Sequence, residues 1–284
     1  MRGTIRCIHT ACVAWGFVVV ALVAGCKDPT AAPPEIPIQA ILGGELDGDR
    51  YPEVGALVLT SDRTLMCSGV LISPTVFVSA GHCVFFWVEE GGLAHGDYGV
   101  TFDNQVTATS PIVLATAYKH PDWEIVEPLT ETFTINNDVG VFVLDQPVRN
   151  ITPARLPERN ILDQLNRKGN LTDQRFDLVG YGCADTFDPC DGSGTRRVAN
   201  QGFLELMPDR DHLRLDGNPG SSWFFDSGGP HYFAGTHIIA SITSGGSGST
   251  PSDIIDETTR LDTPSALRFI RAFMRDGDDD DDDN

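Results

Sequence analysis

The most informative stretch of the sequence is Phe225-Asp226-Ser227-Gly228-Gly229-Pro230. An aspartate precedes its serine and two glycines follow it, so a tight turn can expose the hydroxyl while the glycines let the backbone approach a ligand closely. Alone, the stretch is equally consistent with an ordinary surface turn. Two upstream segments favour the functional interpretation: Ser79-Ala80-Gly81-His82-Cys83 and Asn136-Asn137-Asp138-Val139-Gly140-Val141. Histidine, aspartate and serine therefore follow one another along the chain, each in a distinctive setting.

This order of segments resembles the chymotrypsin-like (trypsin-fold) serine proteases. In that family an apolar strand leads into Thr/Ser-Ala-Ala-His-Cys, and here Gly81 replaces the second alanine. The resemblance spans about residues 41–275. It implies an all-β fold of two six-stranded antiparallel β-barrels, with the active site between them and an α-helix at the C-terminus. It also implies a serine-type endopeptidase, which hydrolyses polypeptide substrates through an acyl-enzyme.

The resemblance assigns His82 as general base and acid, Asp138 as the carboxylate that orients it, and Ser227 as the nucleophile. A hydroxyl is a weak nucleophile unaided, so the three residues together carry more weight than any one of them. In the family, the N–H groups of the serine and of a glycine two residues earlier form the oxyanion hole. Phe225 replaces that glycine here. A catalytically inactive, protease-fold binding protein is therefore the alternative interpretation.

The segment Ile41-Leu42-Gly43-Gly44 resembles the mature N-terminus Ile-Val-Gly-Gly of the family. The resemblance implies that cleavage before Ile41 frees an ammonium group, which pairs with Asp226 and shapes the oxyanion hole. Gln39-Ala40 precedes the cleavage point, so an activator that cuts after arginine or lysine is not implied.

The substrate pocket is less clearly defined. Ser221 stands six residues before the nucleophile, where trypsins carry an aspartate, and this argues against a simple preference for arginine or lysine. Thr243-Ser244-Gly245 resembles the Ser-Trp-Gly strand that pairs with the substrate backbone, and Ser244 in place of tryptophan predicts a small, polar wall. Asp256 falls near another wall position. We expect it to be a solvated loop residue; if it points inward, a basic substrate side chain is favoured.

Two further segments fit the same resemblance. His120-Pro121-Asp122-Trp123 is similar to the family's His-Pro-x-Tyr loop, and Gly180-Tyr181-Gly182 is similar to its Gly-Trp-Gly turn. The remaining histidines lack metal-ligand spacing, so we expect neither a metal nor another cofactor. An α/β-hydrolase esterase is disfavoured, because its nucleophile lies in Gly-x-Ser-x-Gly and its histidine comes last in the chain.

Short runs rich in valine, isoleucine and phenylalanine alternate with turn residues through most of the chain, which predicts strands at barrel spacing. Such runs are 54–59, 69–72, 76–78, 139–144, 176–181 and 238–242. Residues 264–274 carry an apolar stripe at helical spacing, with Thr263 as N-cap and proline at the first position. We therefore predict one protease domain over residues 41–275.

The first 25 residues read as a secretory signal peptide, with a basic start, an apolar run and small residues at its end. A single transmembrane anchor is the alternative. Val23-Ala24-Gly25-Cys26 resembles a bacterial lipobox, which implies cleavage before Cys26, a lipid on its thiol and anchorage in a membrane. We expect residues 26–40, with their prolines, to be a linker or propeptide. The expected location is the bacterial cell envelope, as an outer-membrane lipoprotein, or the exterior after processing.

The chain contains seven cysteines, of which Cys7 and Cys12 leave with the signal and Cys26 receives the lipid. The other four allow two disulfides, as expected for an exported protein. The family resemblance implies a bond between Cys67 and Cys83, and Cys183 and Cys190 enclose a short loop and are expected to pair. Free buried thiols are the alternative.

The composition is strongly acidic, with 40 acidic and 20 basic residues and a net charge of −20. Nucleic-acid binding is disfavoured, because phosphate contacts need a basic face. The aspartate-rich stretch 276–284 is expected to be a solvated, disordered tail, with loose binding of divalent cations as the alternative. We expect a monomer.

Overall fold

The apolar runs form antiparallel strands that close into two barrels. The computed structural model describes residues 41, 43–126, 135–183, 193–208, 211–248 and 254–274. All of them belong to one unit, Ile38–Asn284. The predicted signal peptide, lipobox, linker and acidic tail all lie outside the described residues.

The first half of the chain builds the first barrel. Its elements, in chain order, are β1 (Glu45–Leu46), β2 (Val54–Leu59), β3 (Leu65–Ser73), β4 (Val76–Ser79), α1 (Gly81–Cys83), a π-helical segment (Val84–Glu89), β5 (Tyr98–Thr101), β6 (Val113–Lys119), β7 (Glu124–Ile125), β8 (Ile135–Asn136) and β9 (Gly140–Leu144). The barrel closes in the order β2–β3–β4–β9–β6–β5, while β7 and β8 pair with each other beside it. The predicted strand at 54–59 is confirmed.

The second half builds the second barrel. Its elements are α2 (Ile161–Arg167), β10 (Arg175–Gly180), β11 (Arg197–Met207), β12 (His212–Asp216), β13 (Pro230–Phe233), β14 (Ile239–Ser247), β15 (Ile255–Arg260) and α3 (Pro264–Met274). The strand order is β11–β10–β13–β14–β15–β12, with β12 pairing back to β11 and β1 added along β11. The predicted fold of two six-stranded barrels and a C-terminal helix is thus confirmed. Within the described ranges, no helix has the length and hydrophobicity that crossing a membrane requires.

Alternation along the strands separates the apolar cores. On β2, Val54, Ala56 and Val58 belong to a cluster that also contains residues of the second barrel, whereas Leu57 points into the interior of the first barrel. This is the two-residue period of a strand with both faces buried. The junction between the barrels is therefore itself a hydrophobic core.

Arg196 is a charged group buried at this junction. Its Nε lies 2.9 Å from Asp47 Oδ2, and its Nη1 donates to the carbonyls of Val54 at 3.1 Å and Phe102 at 3.2 Å. Burial opposes the charged form of the guanidinium, but nearby Tyr181 and Asp47 raise the pKa of Arg196 overall. Since Arg196 precedes β11 and Val54 begins β2, this residue joins the two barrels.

A disulfide between Cys67 and Cys83 is present, as the resemblance implies, and it ties β3 to the segment that carries His82. Cys183 is also disulfide-bonded. Its expected partner, Cys190, lies outside the described residues.

We expect Arg196→Met to lower the free energy of unfolding by roughly 3–5 kcal/mol, because it leaves the Asp47 carboxylate buried without its partner. Urea unfolding checks this. Glu45→Gln is the matched control: it removes an exposed ion pair with Arg50 and should change stability by less than about 1 kcal/mol. Equal, small effects of both substitutions would contradict the role assigned to Arg196.

Candidate active site

The end of β4 and the start of β9 bring His82 and Asp138 together. His82 Nδ1 lies 2.8 Å from Asp138 Oδ2, and the backbone N–H of His82 donates to Asp138 Oδ1 at 2.7 Å. Asp138 is completely buried. Burial alone would raise its pKa, but the charge of His82 and hydrogen bonds from His82 and Ser244 hold the pKa of Asp138 below its ordinary value. The site therefore contains an ionised carboxylate that orients one imidazole.

Ser227 lies on a turn held between the barrels. A Cβ at Gly228 would stand 2.1 Å from Ser79 Oγ and 2.5 Å from the Ala80 nitrogen, and φ there is 80°, so glycine is required. The Gly228 N–H donates to the carbonyl of Thr243 at 2.8 Å. The turn is thus fixed by the first barrel on one side and by β14 on the other.

Ser68, on β3, is the main link between this turn and the first barrel. Its N–H donates to the Ser227 carbonyl at 2.9 Å, and its hydroxyl donates to the Phe225 carbonyl at 2.9 Å. The same hydroxyl accepts the N–H of Tyr181 at 3.0 Å. Sequence reasoning missed Ser68, because a serine beside a half-cystine carries no signal of this kind.

His82 and Ser227 face one pocket of about 320 Å³ between the barrels. Among the described residues no hydrogen bond joins the two side chains. The other walls come from residues 222–224, from β14 and the glycine after it, and from the residue before β15. They are Ser222, Trp223, Phe224, Thr243, Ser244, Gly245, Gly246, Ser247, Gly248 and Ile254.

Phe225, at the predicted oxyanion-hole position, has a φ of 73°. This is the left-handed region that favours glycine. Its ring packs against the hydrophobic cluster between the barrels and does not line the pocket, whereas the exposed ring of Phe224 does. The replacement of glycine therefore leaves the cleft open but places an L-residue in a strained conformation.

Asp226 is buried and accepts two backbone hydrogen bonds, from Gly182 at 2.8 Å and from Trp223 at 3.0 Å. A Cβ at Gly180 or Gly182 would stand within 2.3 Å of its carboxylate oxygens, so the predicted Gly-Tyr-Gly turn wraps around this side chain. Burial, only partly opposed by these bonds, raises the pKa of Asp226 to about 7. No cation within the described ranges is paired with it.

Ile41 is buried in a small apolar cluster with Leu178 and Ala199. Leu178 and Gly180 lie two residues apart on β10 and so share a face, about 7 Å apart. Gly180 contacts Asp226. Ile41 therefore packs beside Leu178 and Asp226 beside Gly180, two positions of β10 that share a face.

Three of the four predicted pocket residues line the pocket, and Ser221 does not. Ser221 is buried but does not line the pocket, and its hydroxyl has no hydrogen-bond partner within the described part of the chain; its neighbour Ser222 lines the wall instead. Thr243, Ser244 and Gly245 do line it, and the Ser244 hydroxyl also donates to Asp138 Oδ2 at 2.6 Å.

Asp256 is not a solvated loop residue, and that expectation is wrong. It lies on β15, is completely buried, and accepts hydrogen bonds from the N–H and hydroxyl of Ser222, both at 2.9 Å, and from Gln201. Its register partner on β14 is Gly246. Since Ser222 and Gly246 line the pocket, the carboxylate lies directly behind the pocket wall.

A search against family models finds the trypsin family over residues 46–188, half of the chain. This range includes His82, Asp138, the whole first barrel and β10. The second barrel continues beyond it through β15 and supplies Ser227. The chain therefore belongs to the trypsin family and has the serine-protease fold.

Proposed function

We propose that the protein is a serine endopeptidase that hydrolyses peptide bonds through an acyl-enzyme. The observation that carries this proposal is that His82, hydrogen-bonded to the buried Asp138, faces the same pocket as Ser227. Because Nδ1 is bonded to the carboxylate, Nε2 is the ring nitrogen left to act as a base.

In this mechanism Nε2 of His82 takes the proton of the Ser227 hydroxyl as the oxygen attacks the substrate carbonyl. The proton then passes to the leaving amine, and an ester to Ser227 remains. Water, deprotonated by the same nitrogen, hydrolyses this ester and regenerates the serine. The N–H groups of Phe225 and Ser227 are the donors proposed to hold the oxyanion.

A catalytically inactive binding protein is the second candidate. It is favoured by the conformation of Phe225, whose φ of 73° is strained for a residue other than glycine. Misplacing one oxyanion donor would raise the barrier by about 3 kcal/mol.

We further propose that activation is cleavage before Ile41. The freed ammonium would move the short distance from its apolar cluster to Asp226, a buried carboxylate to which the described residues offer only N–H donors. The preference proposed for the pocket is a lysine or arginine side chain, whose charge would be balanced by Asp256 behind Ser222 and Gly246.

Export and membrane anchorage are proposals that rest on the sequence pattern of the first 26 residues. If Cys26 carries a lipid, cleavage before Ile41 would also release the monomeric protease domain from its anchor.

The chain cleaved before Ile41 is expected to react with a fluorophosphonate probe, and Ser227→Ala should abolish the labelling. Asp138→Asn should slow it by about 10⁴-fold, because the imidazole loses its orientation. Ser247→Ala, which changes another serine of the pocket wall, is the matched control and should label normally. If the cleaved, folded chain is not labelled, and its Phe225→Gly variant is not labelled either, the inactive binding protein would be favoured.

We expect the uncleaved chain to lose stability as the pH rises from about 4 to about 7. Over this range the folded state retains the Asp226 proton that the unfolded chain has released, so stability falls as pH increases. Asp226→Asn should flatten this dependence. Urea unfolding of the Ser227→Ala protein, which cannot digest itself, measures both.

Cleavage before Ile41 should remove the same loss of stability, because an ammonium beside Asp226 favours the ionised carboxylate. The Asp226→Asn chain should not respond to cleavage in this way. Identical pH profiles before and after cleavage, or an active, lipidated chain in which Ile41 is still internal, would contradict the activation proposal.

Peptide substrates with lysine or arginine before the cleaved bond should be preferred, and Asp256→Asn should reduce their kcat/KM by about 100-fold. The kcat/KM of the same variant on substrates with leucine at that position should change little. Asp62→Asn, an exposed aspartate at a distant turn, is the control. Equal loss on basic and apolar substrates would show that Asp256 acts only through the fold.

A further inference from the structure

The indole of Trp123 donates a hydrogen bond to the carboxylate of Asp138. Trp123 Nε1 lies 3.1 Å from Asp138 Oδ1, the oxygen that also accepts the backbone N–H of His82 at 2.7 Å. The other oxygen, Oδ2, accepts from Ser244 at 2.6 Å and bonds to His82 Nδ1 at 2.8 Å. Each oxygen of the buried carboxylate therefore has two partners, and Trp123 supplies one of the four.

Gly81 makes this contact possible. A Cβ at Gly81 would stand 2.6 Å from Cδ1 and 3.1 Å from Nε1 of the Trp123 indole, and 3.2 Å from Asp138 Oδ1. The backbone of Gly81 is not left-handed, so its conformation does not call for glycine. Glycine is needed here because the indole occupies the space that a Cβ would fill. Gly81 and Trp123 are also the positions where the family pattern has alanine and tyrosine, so the two replacements match each other in space.

Two neighbours hold the indole in place. The ring of Phe85, from the π-helical segment, stacks on it with centroids 4.5 Å apart and planes 28° apart. The ammonium of Lys119 lies 5.2 Å from the indole centroid and is itself paired with Glu89 at 3.2 Å. A cation over an aromatic face is attracted to it. The backbone N–H of Trp123 donates to the carbonyl of His120 at 3.0 Å, which fixes the main chain that carries the indole. The direction of the indole N–H is therefore fixed before substrate arrives.

We propose that Trp123 is a positioning residue of the catalytic triad, and that Gly81 is the space-making partner that this role requires. The proposal rests on the proposed function and adds a determinant of its rate. By holding Oδ1, the indole fixes the plane of the carboxylate, and with it the imidazole bonded to Oδ2. Without the indole, Oδ1 keeps only the N–H of His82.

Trp123→Phe, which keeps an aromatic ring and removes the donor, is expected to lower kcat by about tenfold, the effect of one hydrogen bond to a charged group. KM should change by less than about twofold, because in the structure the indole does not line the pocket. Trp87→Phe, an aromatic residue of the same segment as Phe85, is the control. A change in kcat of less than about twofold in Trp123→Phe would overturn the proposal.

The matched pair provides the second test. Gly81→Ala should lower kcat about as much as Trp123→Phe, because the added methyl group displaces the indole. In the Trp123→Tyr background, the same Gly81→Ala substitution should change kcat by less than about twofold, since the larger ring is gone. Equal effects of Gly81→Ala in both backgrounds would show that the two residues are not coupled and would overturn the proposal.

A spectroscopic measurement separates this inference from the proposed function. In the catalytically silenced Ser227→Ala chain, the indole N–H signal of Trp123 should lie downfield and should move upfield in Asp138→Asn. A signal insensitive to Asp138→Asn would overturn the inference, whether or not the wild-type chain is active. A chain that keeps this signal but fails to react with the fluorophosphonate probe would contradict the proposed function, while the hydrogen bond to Asp138 would stand.

Discussion

The burial of the Asp138 carboxylate is the constraint on which the rest of the site depends. An ionised group removed from water is strongly disfavoured unless hydrogen bonds replace its hydration. Its donors here come from both barrels: His82 and Trp123 belong to the first, and Ser244 to β14 of the second. Satisfying one carboxylate therefore fixes the two barrels against each other at the point where the pocket opens. The hydrogen bonds that shape the site therefore also stabilise the junction between the barrels.

Asp226 is equally buried, but its surroundings lead to the opposite state. Two backbone N–H groups are its hydrogen-bond donors, and burial raises its pKa to about 7, whereas His82 and Ser244 lower the pKa of Asp138. The difference lies in the partners, since both side chains are removed from water to the same degree. A cation placed beside such a buried carboxylate would favour its ionised form. The proposed cleavage before Ile41 would supply such a cation, and this would couple cleavage of the chain to the order of the turn that carries Ser227.

Local patterns predicted those parts of the fold that local forces determine. The strand β2 and the helix α3 begin and end where periodicity and the proline after Thr263 place them. The helix α2 was missed because it is short and its start is not capped locally: Asp262, a hundred residues away, accepts the N–H of Leu162 at 2.9 Å. The hydrogen bonds of Ser244 to Asp138 and of Ser222 to Asp256 were not predicted for the same reason, since each joins distant segments of the chain. The resemblance supplied the order of the triad, but only the structure supplied the donors around it.

Gly81 and Phe225 are two of the departures from the family pattern, and the surrounding structure accommodates them differently. At Gly81 the loss of a methyl group is matched by the larger ring of Trp123, so the space is filled and a donor is gained. At Phe225 the left-handed backbone is disfavoured by about 1–2 kcal/mol for an L-residue. Burying an aromatic ring at the junction contributes on the order of 2 kcal/mol in the other direction, and Ser68 holds the Phe225 carbonyl. Packing of the ring therefore offsets the strain of the backbone. A glycine here would relax the backbone and lose the packing, so the two effects of Phe225 on the stability of the turn that carries Ser227 nearly cancel.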